Sequence, residues 1–290
     1  MTVSPIDMNA KICIVTGGTS GIGWVTSLRL AQWGATVILI GRDVGRGSAA
    51  EERIRRESGN QNVEFFQTDL SAQAQIHQFV HAFTRKYHRL DVLVNNAGTT
   101  LLTRHLSVDG LEMTFAVNYL SHFLLTRLLL DTLEASAPSR VINVSSGSHR
   151  RARINFEDLQ GEKGYQILRA YGQSKLANLL FTYELARRME DKGVCVNALH
   201  PGFVLTNLGR DNGWLINKIT RLIMRLSGIS PEEGAETLIY LATSPEVENI
   251  TGKYFYKKRP VKSAIQSYDA EEALRLWKIS EELTGLSSTS

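Results

Sequence analysis

Short apolar runs rich in β-branched residues alternate along the chain with longer stretches whose apolar positions recur at helical spacing. Ile12 to Thr16 is followed by a helical segment over Ile22 to Trp33, then by Thr36 to Ile40 and a charged helix from about Val44 to Glu57. The rhythm continues through Val63 to Gln67, Ala72 to Tyr87, Asp91 to Asn95, a long helical stretch around Leu111 to Leu133, and Arg140 to Ser145. A helix from about Arg169 to Met189, a strand over Val194 to Leu199 and a C-terminal helix over about residues 269–285 complete it. Strands separated by helices of this length are joined by right-handed crossovers, which bury a mainly parallel sheet between two helical layers. The expected fold is α/β, a single doubly wound domain over residues 1–290 with helices on both faces of the sheet. No internal repeat or low-complexity linker divides the chain.

Composition narrows the function. With 290 residues, 43% of them hydrophobic and 21% charged, the chain can build one large core. Its net charge of +4, from 33 basic and 29 acidic residues, comes without a long basic block, so no nucleic-acid partner is expected. Cys13 and Cys195 each sit in an apolar run, as small buried side chains do in a reducing compartment. Met1 to Ala10 has no basic region followed by an apolar stretch, so neither a secretory signal nor a transmembrane anchor is expected, and the expected location is cytoplasmic.

The first strand runs into Thr16-Gly17-Gly18-Thr19-Ser20-Gly21-Ile22-Gly23 and then into a helix. In a Rossmann-type fold this is where a dinucleotide pyrophosphate lies, because glycines let backbone N–H groups approach the phosphates and the helix N-terminus supplies positive potential. The spacing differs from G-x-G-x-x-G, and an ordinary strand-to-helix turn is the competing reading. At the end of the second strand, where an acidic residue would accept from the NAD ribose, the chain has Gly41-Arg42. Arg42 suits a 2′-phosphate, so NADP(H) is expected over NAD(H), although Asp43 stands beside it.

Taken together, Thr16 to Gly23, Asn95-Asn96-Ala97-Gly98, Ser145-Ser146, Tyr171-Gly172-Gln173-Ser174-Lys175 and Pro201-Gly202 resemble the motifs of the short-chain dehydrogenase/reductase family, in order and across nearly the whole chain. The resemblance implies a catalytic group of Asn118, Ser146, Tyr171 and Lys175. It also implies cofactor contacts from Gly17, Thr19, Ser20, Gly21, Ile22, Gly23, Arg42, Asp69, Leu70, Asn96, Ala97, Gly98, Tyr171, Lys175, Pro201, Gly202, Val204 and Thr206, with Asn95 shaping the same site.

The residue types agree with that chemistry. Hydride transfer belongs to the nicotinamide, so the protein must supply a proton for the carbonyl oxygen and hold that oxygen in place. Tyr171 is the candidate acid/base, and Lys175, one helical turn on, is expected to lower its pKa and to reach the nicotinamide ribose. Ser146 is expected to hydrogen-bond the reacting carbonyl, with Ser145 the alternative. In relatives the asparagine matching Asn118 holds a water in a proton relay to the lysine, a role compatible with a helix-kink asparagine. His77 and His81 have metal-like spacing on a helix but lack a third ligand, so no metal site is expected. His149 and His200 fall near the catalytic motifs, either lining the pocket or as satisfied structural histidines.

The stretch between Ser146 and Tyr171 is longer than in common family members. Its content, with Ser174 to Asn178 and the ending Leu276 to Ser280, resembles the retinol dehydrogenase-like branch and implies an apolar alcohol or carbonyl as substrate. Trp24 stands where many of those relatives carry a basic residue. A substrate-covering segment is expected over about residues 200–230, where Trp214 to Leu226 forms an apolar stripe with Lys218, Arg221 and Arg225 on other faces. That stripe reads as a lid, as an interface in a homo-oligomer, or as a peripheral membrane contact. Two other classes share the motifs: an NADP-binding sensor or scaffold, and an enzyme of different chemistry such as a pigment reductase or sugar-nucleotide epimerase.

Overall fold

The computed structural model describes residues 7–202 and 229–286. Val204, Thr206 and the stripe from Trp214 to Leu226 lie outside the described residues. The strands are β1 (Ile12–Thr16), β2 (Thr36–Gly41), β3 (Val63–Gln67), β4 (Val92–Asn95), β5 (Ser139–Val144), β6 (Val194–Leu199), β7 (Lys253–Tyr256) and β8 (Arg259–Pro260). They form one sheet in the order β3-β2-β1-β4-β5-β6-β7-β8, parallel throughout except for the short β7–β8 hairpin. The order turns back between β1 and β4, which opens a crevice at the carboxyl ends of the strands where a doubly wound fold binds its ligand.

Alternation along the central strands explains the two layers. Ile14, Ile38, Leu93, Val141 and Val196 point into one core, with Phe79 and Phe83 of α3 (Gln73–Lys86), Phe123 of α5 (Ser121–Leu128), Leu176 and Leu180 of α7 (Ile167–Arg188), and Trp277 of α9 (Ala270–Leu283). Cys13, Val15, Val37, Leu39, Val94 and Ile142 point into the other, with Leu30 of α1 (Gly21–Gln32), Ile54 of α2 (Val44–Ser58) and Leu238 of α8 (Pro231–Thr243). Each fully buried aliphatic side chain contributes roughly 1.5–3 kcal/mol, so the sheet is fixed from both faces.

Two elements depart from the pattern expected of the sequence. The stretch 111–133 is not one helix: α4 (Met113–Phe115) passes through a π-helical turn, Ala116–Leu120, into α5, and α6 (Leu130–Ala135) follows a break at Leu129. Apolar periodicity runs through all of these pieces, so it does not reveal the break. β7 and β8 have only four and two residues, and β7 shows the exposure pattern exposed-buried-buried-exposed, which matches neither a half-buried nor a fully buried strand.

Candidate active site

β1 delivers the glycine loop to the crevice. Gly17 has φ +65° and Gly21 φ +56°, the left-handed region that side chains avoid. A Cβ on Gly23 would lie 2.3 Å from the Gly17 carbonyl oxygen and 2.6 Å from Asn96 Nδ2, so helix and loop meet at a distance only glycine allows. Asn96 braces the loop from β4, its Nδ2 donating to the Thr16 carbonyl at 2.8 Å. Its backbone N–H and that of Ala97 donate to Thr16 Oγ1 at 2.8 and 2.9 Å. Ser20, the residue before α1, makes no side-chain cap, and no acidic residue stands in the first turn, which suits the helix end to an anion.

The loop opens onto a cavity of about 410 Å³ lined by Gly17, Thr19, Ser20, Gly41, Arg42, Asp69, Leu70, Ala97 and Gly98. Gly21, Ile22, Gly23 and Asn96 are not among its lining residues; the last two build the wall behind it. Asn95 is also not among the lining residues: it is fully buried, its Nδ2 donating to Thr126 Oγ1 and to Asn143 Oδ1, so its influence on the site is indirect. Sequence reading missed Arg46, which lines the cavity beside Arg42. Asp43 is accounted for by structure: its carboxylate caps α2 by accepting from the Arg46 N–H at 2.9 Å and pairs with Arg46 Nε. Those contacts hold the Asp43 carboxyl below its ordinary pKa.

The catalytic candidates come from the end of β5 and the first turns of α7. Ser145 is buried and its Oγ donates to the Lys175 carbonyl at 2.8 Å, a contact that ties strand to helix. Ser146 is partly exposed; its Oγ donates to Ser148 Oγ and accepts from the Ser148 N–H, both at 3.3 Å, and it lies close enough to the Tyr171 phenol to lower its pKa. Lys175 is buried, with Nζ donating to the Val144 carbonyl at 3.0 Å and lying 5.8 Å from the Tyr171 ring centroid. Burial lowers the Lys175 ammonium to about 8. The expected lowering of the phenol is not what this structure gives: burial raises the Tyr171 pKa, and the nearby Ser146 hydroxyl opposes it only in part.

Asn118 sits in the π-helical turn. Its Oδ1 accepts from the Thr99 N–H at 2.7 Å, and its Nδ2 donates to the Thr99 carbonyl at 2.9 Å and to Ser174 Oγ at 3.0 Å. The Asn118 carbonyl accepts from Asn178 Nδ2 at 2.8 Å. The side chain therefore clamps the loop after β4 to the helix that carries Tyr171, and any relay would run through backbone. Sequence reading also missed His122, fully buried with Nδ1 at 3.4 Å from Asn178 Oδ1 and its pKa lowered to about 3, chiefly by burial and then by the Lys175 charge. No spacing rule points to it, because its partner lies on α7, far along the chain.

Beside this group, Gly202 has φ +92° and its N–H donates to His200 Nδ1 at 3.3 Å, while the His200 ring stacks on Tyr256. Pro201 precedes it at the carboxyl end of β6 and, like Gly202, is partly buried. His149 is buried with both ring nitrogens hydrogen-bonded. His77 and His81 are exposed on α3.

A glycine cradle after β1, and a serine, tyrosine and lysine at the end of β5 and in α7 that are not among the lining residues of the cavity, are the parts of the candidate site. The chain belongs to the short chain dehydrogenase family, whose model matches residues 11–213. It is 44% identical to mouse (Mus musculus) Retinol dehydrogenase 13 over 95% of this chain and 84% of that protein. It is 42% identical to human (Homo sapiens) Retinol dehydrogenase 14, over 96% and 88%, and 41% identical to human Polyprenol dehydrogenase, over 95% and 86%. Among solved structures it resembles an uncharacterized protein from Mycobacterium paratuberculosis, with TM-score 0.79 and 34% identity over 97% of this chain and 96% of that one. It also resembles the Pseudomonas aeruginosa RhlG/NADP active-site complex, with TM-score 0.71 and 28% identity over 87% and 97%. The chain is thus an oxidoreductase of this family with retinol dehydrogenases among its relatives, and its site is suited to a nicotinamide dinucleotide.

Proposed function

We propose that the protein is an NADP(H)-dependent oxidoreductase interconverting an apolar alcohol, retinol-like or longer, with its aldehyde or ketone. The observation that carries this reading is Lys175 Nζ 5.8 Å from the Tyr171 ring on one helix, with Ser146 at the end of the neighbouring strand, in a fold whose glycine loop after β1 suits a pyrophosphate. The cofactor, when bound, would supply the hydride in reduction and accept it in oxidation. The chain's own residues do the rest. Ser146 donates to the substrate oxygen and fixes it; Tyr171 gives that oxygen its proton in reduction and takes it back in oxidation. A phenol held protonated by burial is the right state for a proton donor at neutral pH. Lys175 places a positive charge under the phenol and holds it while the proton leaves.

The preference for the phosphorylated cofactor rests on Arg42 and Arg46 at the cavity rim, with Gly41 in place of an acidic residue. Arg42→Ala is expected to narrow the affinity gap between NADPH and NADH by about 1.5–3 kcal/mol, roughly ten- to a hundredfold, through loss of a charge-assisted phosphate contact. Equal affinity of the unmutated protein for both cofactors sinks the assignment. The apolar substrate is supported by the names of the relatives, which act on retinol and polyprenol.

A pH dependence follows from Lys175. Its folded-state pKa, about 8, lies below the ordinary lysine value, so the ammonium is present below that pH and is lost as pH rises through it. Carbonyl reduction is expected to fall as pH rises past about 8, and Lys175→Arg, which keeps its charge, is expected to remove that inflection. A rate that stays flat into the ordinary lysine range contradicts the role given to Lys175. The function itself is tested by a panel of retinoid, steroid, aliphatic and aromatic carbonyls with each reduced cofactor; alcohol product from the apolar members with NADPH is expected, and bound sugar nucleotide or light-dependent turnover would replace this reading.

A further inference from the structure

The short turn Gly147–Arg151 that follows Ser146 carries His149, a fully buried side chain with no part in the chemistry described above. Its two ring nitrogens have opposite duties. Nε2 lies 3.1 Å from the backbone N–H of Ala264, and because a backbone N–H can only donate, Nε2 is the bare acceptor. The one proton of the neutral ring is therefore on Nδ1, facing the Ser146 carbonyl oxygen at 2.5 Å. A doubly protonated ring would set its own N–H against that of Ala264. Burial holds the ring neutral and the Arg150 guanidinium adds to that effect. The edge of the ring meets Tyr254.

Ala264 belongs to a segment, Lys262 to Tyr268, that crosses over the turn like a strap. Arg150 Nη2 donates to the Lys262 carbonyl at 3.2 Å, and Gln266 Nε2 donates to the Ala152 carbonyl at 2.8 Å. On its other side the strap grips α7: Ser263 Oγ pairs with the Tyr183 hydroxyl at 2.7 Å, and the Tyr268 ring stacks on Tyr183 with centroids 5.2 Å apart. Tyr183 stands on the helix that carries Tyr171 and Lys175. One segment is thus fastened to the Ser146 turn and to the phenol's helix, and His149 is the side chain that reaches from it to Ser146 itself.

We propose that His149, as its Nδ1-protonated tautomer, is a positioning residue that sets Ser146 against Tyr171 and makes the strap Lys262 to Tyr268 part of the active-site architecture. The proposal rests on the reading of Ser146 as donor to the substrate oxygen. Its physical basis is the steep dependence of a positioned reaction on geometry, where a misplacement of about 1 Å costs about a hundredfold. Cutting the Ser146 contact leaves the cofactor cavity untouched, so the loss is expected in kcat and not in binding.

Three variants of the full chain test this. His149→Gln extends its amide oxygen toward Ala264 and gives up Ser146; His149→Asn keeps an N–H near the Nδ1 position and gives up Ala264. Ala264→Pro deletes the strap's donor at a residue whose φ of −67° already suits proline. With an apolar aldehyde and NADPH, His149→Gln is expected to lose about ten- to a hundredfold in kcat with KM and NADPH affinity unchanged, and His149→Asn to recover kcat to within about threefold of the unmutated protein. Nitrogen-15 NMR of the unmutated protein is expected to show a neutral, Nδ1-protonated His149 that becomes a mixture of tautomers in Ala264→Pro. Equal kcat in the Gln and Asn variants, or an Nε2-protonated ring in the unmutated protein, overturns the proposal. If Ser146→Ala leaves turnover intact, the catalytic reading of Ser146 has failed; if Ser146→Ala abolishes turnover while His149→Gln turns over normally, the positioning role alone has failed.

Discussion

Tyr171→Phe is expected to lower kcat for carbonyl reduction by about 10²–10⁴-fold while leaving NADPH affinity within about twofold. The substitution removes one hydroxyl from the site and nothing else. The ring stays packed on α7, Lys175 keeps its bond to the Val144 carbonyl, and the glycine cradle is formed by residues of β1, α1 and β4 that never meet the phenol. What disappears is the proposed proton donor. Steady-state kinetics and a separate binding titration of NADPH decide the matter. Turnover near the original rate would move the acid to another group.

Gly23→Val is expected to abolish measurable cofactor binding and, with it, activity. The first atom of the new side chain would fall 2.3 Å from the Gly17 carbonyl oxygen, and backbone cannot yield as a flexible side chain does. Relief requires α1 to move away from the loop, which takes its N-terminus off the position where the phosphates bind. Overpacking of this kind costs about 1–3 kcal/mol in stability, so the fold is expected to survive with a lowered melting temperature. Gly59→Ala serves as the comparison, since nothing lies within 4 Å of a Cβ there, although its φ of +72° carries a small strain of its own. A Gly23→Val protein that binds NADPH as the original does would show that the loop is an ordinary turn.

Much of this was legible in the chain. The strands whose side chains feed two cores read as short apolar runs, and their spacing by helices implied the mainly parallel sheet covered on both faces, though not the order of its strands. Ser146, Tyr171 and Lys175 were singled out by the family resemblance of five motifs in order; the i, i+4 spacing of Tyr171 and Lys175 on α7 agrees with it but would not have named them alone. What escaped depends on distance along the chain. Asn178 meets Asn118 across 60 residues, Ala264 meets His149 across 115, and neither contact leaves a trace in periodicity or spacing. The state of Tyr171 escaped for a different reason: the phenol's pKa is governed by burial, which a lysine four residues away does not report. Arg46 was hidden by its pairing with Asp43, which looks like a surface ion pair until the cavity beside it is seen.

Reduction of an apolar carbonyl with NADPH is tested most directly by the amount of alcohol formed per NADPH consumed from retinaldehyde by the purified full chain, repeated with NADH. One retinol is expected for each NADPH, at an efficiency about tenfold or more above that with NADH. A folded protein that binds NADPH yet forms no alcohol with either cofactor would contradict it.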